Sequence, residues 1–84
     1  MEEKEIGKIT NYFGHVGVGI IELTDTLKVG DNIRIKGHTT DIKETVNSMQ
    51  LEHTSINEAV KGQAVGIKVA DKVHPNDKVY KIIP

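Results

Sequence analysis

A short alternating run with glycines on both sides constrains this chain more than any other feature. Between Asn32 and Lys36, the isoleucines at 33 and 35 alternate with polar residues, and Gly30 and Gly37 flank the run. A period of two places both isoleucines on one face of a β-strand and the charged side chains on the other. Glycine also allows backbone angles that residues with a Cβ resist, which suits turns. We therefore expect a half-buried strand between two turns.

Similar alternation recurs along the chain and predicts further strands. Their expected ranges are Glu5 to Tyr12, Val18 to Leu23, Gln63 to Val69 and Lys78 to Ile83. Gly7 interrupts the first range and indicates a bulge or a close backbone approach. In the second range, we expect Ile21 and Leu23 to face the core. The pattern is typical of short strands that each bury one face.

The segment from Thr40 to Glu52 allows two interpretations. Ile42, Val46 and Met49 fall at helical spacing, which predicts a short amphipathic helix. The run Thr-Val-Asn-Ser in mid-segment contains poor helix formers, which favours a long, bulged strand instead. We favour the strand, and we expect Leu51 to Lys61 to form a connection.

Five or six short strands with frequent turns predict one all-β domain spanning residues 1–84. A closed β-barrel would pair the edges that short strands otherwise expose. Aromatic residues make up only 4% of the chain, so the core must consist mainly of isoleucine, valine and leucine. The expected fold is therefore a small closed β structure.

Composition narrows the function. The formal net charge is −1, with lysines scattered among carboxylates, so broad neutralisation of phosphates is not expected and any RNA contact must be local. The absence of cysteine excludes thiol chemistry and thiolate metal sites. The charged N-terminus does not resemble a secretory signal and no apolar run suits a membrane helix, so we expect a cytoplasmic protein that does not contact membranes.

No motif predicts catalysis or a cofactor. The glycine-rich run Gly14 to Gly19 leads into a strand and not into the helix that a dinucleotide site needs, so a bent hairpin is the favoured interpretation. No P-loop motif is present, and the four histidines lie far apart without zinc-helix spacing. The sequence therefore predicts a non-catalytic protein with no cofactor and no metal.

Several blocks, taken in order, resemble the second domain of translational GTPases such as elongation factor Tu and the initiation factors. They extend from about Ile6 to Ile82 and comprise 28–35 (KVGDNIRI), 46–50 (VNSMQ), 58–59 (EA), 62–67 (GQAVGI) and 77–80 (DKVY). The resemblance implies a closed six-stranded antiparallel β-barrel of the translation-factor domain 2 type. It also implies that the segment from Thr40 to Glu52 is strand.

The resemblance implies binding without GTP hydrolysis or GTP binding, because the sequence shows no GTPase motif. In elongation factors this domain helps to receive the acceptor end of tRNA, so tRNA or ribosome-associated RNA is the implied partner. The implied RNA-binding residues are Gln50, Leu51, His53, Gly62 and Gln63. Glu52 departs from the aromatic residue or histidine found there and adds a negative charge. Arg34 and Lys36 form a candidate basic surface on the strand described first.

Three hypotheses follow. The first is a stand-alone translation-factor-like module that binds RNA or a translation-associated partner. The second is an accessory protein-interaction subunit, because similar small barrels resemble a domain appended to collagenase-like peptidase-family enzymes, some of which modify RNA. The third, a small enzyme or metal protein, is disfavoured by the missing motifs.

Overall fold

The computed structural model describes residues 2–84, and these residues form ten β-strands and no helix. The strands are β1 (Glu2–Phe13), β2 (Val18–Leu23), β3 (Leu27–Lys28), β4 (Asn32–Lys36), β5 (Asp41–Thr45), β6 (Met49–Leu51), β7 (Thr54–Ile56), β8 (Glu58–Ala59), β9 (Ala64–Lys68) and β10 (Lys78–Ile83). Within this part of the chain, no helix has the length and apolar character to cross a membrane. The all-β prediction is confirmed.

Eight strands form one antiparallel sheet in the order β5-β4-β10-β1-β2-β9-β6-β7, and β3 pairs with β8 in a separate two-stranded sheet. The long β1 lies near the middle of the order and pairs with β10 through its first half and with β2 through its second half. The order ends at β5 on one side and β7 on the other. The sheet is therefore not closed by pairing, and the expected six-stranded barrel is not confirmed.

The core lies on the inward face of these strands, as the alternation predicts. Ile33 and Ile35 are fully buried, and Ile21 and Leu23 are at most 2% exposed. Burying one such side chain stabilises the fold by about 1.5–3 kcal/mol. The remaining buried apolar residues are Ile6, Ile9, Leu27, Val46, Met49, Ala59, Val65, Ile67, Val73 and Val79. The two predicted inward pairs are thus confirmed.

Gly7 lies at a bulge in β1, which confirms that prediction. The register of β1 against β10 shifts between Glu5 and Gly7. A Cβ built on Gly7 would lie 2.5 Å from the carbonyl oxygen of Glu22. Because that oxygen belongs to the backbone of the neighbouring strand, only glycine fits at this position.

The prediction of one long strand from Thr40 to Glu52 is wrong. Residues 46–48 lie between β5, which pairs with β4, and β6, which pairs with β7 and β9. The strand ends here because the buried Val46 bonds to the turn at Gly30 and Asp31. Its N–H donates to the carbonyl oxygen of Asp31 (2.9 Å), and its carbonyl oxygen accepts the N–H of Gly30 (2.8 Å). The expected connection up to Lys61 also contains β7 and β8. These contacts join distant parts of the chain, so local periodicity does not reveal them.

Candidate functional site: a cleft between two hairpin tips

A cleft of about 720 Å³ opens on the outward face of the sheet, opposite the core. Its volume lies within the range typical of ligand-binding pockets. Three strands provide its floor, and two hairpin tips provide its walls. The lining residues are Phe13, His15, Val16, Val18, Ile20, Gln50, Glu52, His53, Ala64 and Gly66.

The floor is one row of residues across three strands. Gly66 of β9 pairs with Ile20 of β2 on one side and with Gln50 of β6 on the other. A Cβ on Gly66 would lie 3.2 Å from Cγ1 of Val18 and 3.4 Å from Cδ1 of Ile20. These two apolar side chains therefore lean over the glycine and make the floor hydrophobic.

The first wall is the tip of the β1–β2 hairpin. The N–H of Gly17 donates to the carbonyl oxygen of Phe13 (2.9 Å), and Gly17 adopts a φ of 65°, which favours glycine. The tip leaves Phe13 52% exposed and Val16 57% exposed, and both side chains line the cleft. Exposed apolar residues gathered at one place commonly mark a binding surface.

The second wall is the tip of the β6–β7 hairpin. Leu51 pairs with Thr54, so Glu52 and His53 are the two central residues of the turn. Their φ angles are 51° and 65°, the left-handed values that a type I′ turn requires and that Asn-Gly normally supplies. Backbone strain of this kind is often found at binding sites. Here it places a carboxylate and an imidazole beside the apolar floor.

Glu52 supplies the only acidic or basic charge among the lining residues, with the histidines taken as neutral. It forms no ion pair within the part of the chain that the structure describes. His15 and His53 line the same cleft, but no group of three or more His, Asp and Glu residues within 2–84 could hold a metal ion. The cleft therefore offers apolar contact and one unmatched negative charge.

The candidate basic surface at Arg34 and Lys36 lies elsewhere, on β4. The Arg34 guanidinium contacts the carboxylates of Asp41 (2.8 Å) and Glu3 (3.1 Å). Hydrogen bonds to these two carboxylates raise the pKa of Arg34, and its guanidinium holds the pKa of the Asp41 carboxyl below the usual value. Lys36 is exposed and pairs across the strands with Asp41. The charge of Arg34 is thus matched within the chain.

A cluster of Thr40, His74 and Asp77 superficially resembles a catalytic triad. The Thr40 hydroxyl lies 2.9 Å from Nδ1 of His74, and Oδ2 of Asp77 lies 3.7 Å from the same nitrogen. A proton relay needs the two partners on opposite ring nitrogens, so this arrangement cannot perform that chemistry. Asp77 also accepts the N–H of His74 (2.9 Å). The cluster fastens the turn before β10 to the loop before β5.

A smaller hollow of about 360 Å³ lies beside β5 and is lined in part by Glu3, Lys43 and Glu44. Burial raises the pKa of the Glu44 carboxyl, while a hydrogen bond from the N–H of Ala70 (3.1 Å) lowers it. Both signs of charge are present in this hollow, which does not favour a particular ligand.

The RNA-binding residues that the resemblance implied do not all lie in one place in the structure. Gln50 and His53 line the cleft, whereas Leu51 packs partly buried against the core. Gly62 and Gln63 form the turn before β9: the N–H of Gly62 donates to the carbonyl oxygen of Leu23, and Oε1 of Gln63 accepts the N–H of Val60, both at 2.9 Å. Neither turn residue lines the cleft.

Sequence reasoning did not identify the apolar part of the cleft. No motif in the sequence marks Phe13, Val16 or Ile20 as a site residue, and Glu52 stands out only as a departure from the resemblance. One local signal was present, since Phe13 is the single phenylalanine and directly precedes the glycine-rich turn. A large aromatic side chain at the mouth of a hairpin turn has little core to enter, so its exposure was predictable.

Segments of longer known proteins are similar in sequence to this chain. The chain is 44% identical over 77 residues to an uncharacterized protease of Methanocaldococcus jannaschii, and the match covers 90% of this chain and 19% of that protein. It is 38% identical over 78 residues to a collagenase of Porphyromonas gingivalis, with 90% of this chain and 22% of the collagenase covered. The chain thus spans about a fifth of the length of these relatives. No protein-family model matches it.

The fold is shared with a solved structure. The C-terminal domain of a protein assigned to the U32 peptidases in Geobacillus thermoleovorans superimposes with a TM-score of 0.89 at 17% identity, covering 95% of this chain and 93% of that domain. A selenomethionine variant of the same domain gives 0.86 at 16% identity, covering 90% of this chain and 96% of that domain.

These relatives correct the functional predictions. The assignment to the second domain of translational GTPases is wrong, because the similar proteins are a protease and a collagenase. The RNA-binding function inferred from that assignment is wrong with it. The prediction of a non-catalytic protein is also overturned, because the relatives are named as a protease and a collagenase. The blocks that carried the resemblance encode turns and alternating strands, which unrelated small β folds share. They therefore described the shape of the chain and not its relatives.

Proposed function

We propose that this chain is the β-sheet module of a peptidase-family enzyme, as a separate subunit or as a segment of a longer protein, and that its cleft holds a polypeptide. This corresponds to the accessory-subunit hypothesis of the sequence analysis. A cytoplasmic location belongs to the same proposal, and cell fractionation would test it.

One observation carries the proposal. A match that covers 90% of this chain but 19% of a protease is what a module of a larger enzyme produces. The identity of 44% over 77 residues supports the same fold for the two segments. The TM-score of 0.89 to a C-terminal domain of similar length agrees with a module that occupies one end of an enzyme.

The cleft supports the second half of the proposal. The apolar floor and the apolar first wall suit the side chains of a polypeptide, and the carboxylate of Glu52 on the second wall disfavours a phosphate-rich ligand. A protease must hold a polypeptide substrate and must also keep its own domains together, and either contact needs a surface of this type. The two hairpin tips, which extend from paired strands, provide such a surface.

The first experiment tests the association. The M. jannaschii relative is prepared without its matching 77-residue segment, and this chain is added in trans. Isothermal titration calorimetry and analytical ultracentrifugation then measure complex formation. We expect a one-to-one complex, with the intact relative as the control that does not take up the added chain.

A chimera guards against misfolding of the truncated relative. In it, this chain replaces the matching segment, and a second version carries a flexible glycine-serine linker of equal length. We expect the chimera, but not the linker version, to match the intact relative in thermal stability and in hydrolysis of a denatured protein. Absence of a complex in trans, together with a chimera no better than the linker version, would refute the proposal.

A further inference from the structure

We propose that the cleft selects an extended peptide segment in which an apolar side chain lies next to a lysine or arginine. The apolar side chain enters between Phe13 and Val16 above Gly66, and the basic side chain pairs with Glu52. This inference rests on the proposed function for the source of the peptide, but its binding test does not need the enzyme.

The apolar half of the recognition follows from exposure. Among the described residues, four large apolar side chains are exposed, and two of them, Phe13 and Val16, stand together in this cleft. Val18 and Ile20 add a partly buried apolar floor below them. The removal of this surface from water favours binding, and an aromatic side chain in such a position typically contributes a large share.

The basic half follows from the unmatched charge. Most other carboxylates of the chain have partners: Asp41 and Glu3 contact Arg34, Asp25 contacts Lys4, and Glu44 accepts a backbone N–H. Glu52 has no cationic partner within residues 2–84. Its turn holds it at the cleft in a strained backbone conformation. A cation supplied by the ligand would complete the pair.

The charges at the two ends of the cleft predict the orientation of the bound peptide. Glu22 pairs across the strands with Ala64, a lining residue, so a second carboxylate lies near the Ala64 end of the floor. Lys68 pairs with Val18 at the opposite end. We therefore place the basic side chain of the peptide toward Ala64 and Glu52. Two carboxylates at one end also repel phosphate, which disfavours a nucleic acid as the occupant.

The test uses the full chain, labelled with ¹⁵N, and capped tetrapeptides. One peptide carries phenylalanine followed by lysine, and two matched peptides carry phenylalanine-glutamate and alanine-lysine. We expect the phenylalanine-lysine peptide to shift the amide signals of Phe13, Gln50, Glu52 and Gly66 in a saturable way. The alanine-lysine peptide should bind about tenfold more weakly, because it lacks the apolar anchor.

Substitution of Glu52 tests the charge pair. Glu52→Gln should lower the affinity for the phenylalanine-lysine peptide by about two- to fivefold, the range of an exposed ion pair. Glu52→Lys should reverse the preference, so that the phenylalanine-glutamate peptide binds more tightly. The matched control is Glu58→Gln, which removes an exposed carboxylate outside the cleft and should leave the preference unchanged.

Several outcomes would overturn the inference. They are equal binding of the lysine and glutamate peptides, no shift with any peptide, or no reversal in the folded Glu52→Lys variant. Equal shifts of the same amides by a single-stranded RNA decamer would show that the cleft takes nucleic acid instead. Selective peptide binding, with no complex in trans and a chimera no better than the linker version, would reject the proposed enzyme partner and keep the peptide selectivity.

Discussion

The strained tip of the β6–β7 hairpin makes a specific prediction about stability. His53 has a φ of 65° as the second central residue of a type I′ turn, where glycine is preferred. The structure gives its side chain no hydrogen bond or ion pair within residues 2–84. We therefore expect His53→Gly to stabilise the protein, although it removes an entire side chain.

The magnitude follows from two opposing terms. Removal of the strain in the left-handed conformation stabilises the folded state by about 1–2 kcal/mol. Glycine has more freedom in the unfolded chain, which costs about 0.5–1 kcal/mol. The net increase in the free energy of unfolding is about 0.5–1 kcal/mol, which corresponds to a rise in Tm of about 2–8 °C for a domain of this size.

Differential scanning calorimetry measures the effect, and the next residue along the chain supplies the control. Thr54 is exposed on β7 and does not have a positive φ, so Thr54→Gly should lower the free energy of unfolding by about 0.5–1 kcal/mol. The two substitutions thus introduce the same residue at neighbouring positions with opposite expected signs. A Tm that does not rise in His53→Gly would refute the argument that the tip is strained.

Three further predictions concern the rest of the fold. Gly37→Ala should lower the free energy of unfolding measured in urea by about 2–3 kcal/mol, because a Cβ would overlap the buried carboxylate of Asp77 and displace its hydrogen bond. The control is Gly14→Ala, whose Cβ meets only ordinary contacts and which should be nearly neutral. Glu44→Gln should become increasingly stabilising relative to the wild type as the pH rises above about 4.5, because a carboxyl whose pKa is raised on folding loses stability as it ionises. The pKa of Asp41 is lowered on folding, so its contribution to the stability of the fold is lost as the pH falls through and below about 3.8. Asp41→Asn should therefore make Tm less sensitive to acid in that range. An unchanged dependence of Tm on pH would contradict the ion-pair argument.

The functional prediction failed for a physical reason that the residues make clear. The block from Lys28 to Ile35 encodes a turn at Gly30, with a φ of 99°, and a strand whose isoleucines are buried. Any small β fold that needs a turn and a half-buried strand can use such a block. It carries no information about the ligand, because ligand contacts depend on the outward side chains. Among the outward side chains of the whole chain, Glu52 departs from the elongation-factor pattern. Position 52 was therefore the informative one.

The amino-acid sequence alone determined the strands with regular alternation. β2 (Val18–Leu23) and β10 (Lys78–Ile83) have the predicted bounds, and Ile33 and Ile35 share the buried face. This was possible because a period of two is a local property, which neighbouring residues reveal without knowledge of their partners. The bulge at Gly7 was visible for the same reason.

Only the tertiary structure decided where the chain breaks and where it has a usable surface. The break at residues 46–48 depends on hydrogen bonds between Val46 and the turn at Gly30 and Asp31. The cleft exists because β9 lies between β2 and β6, which brings the turn at Glu52 to the same cleft as Phe13, 39 residues away in the sequence. Strand pairing over such separations follows from the packing of the whole core, so no local pattern contains it.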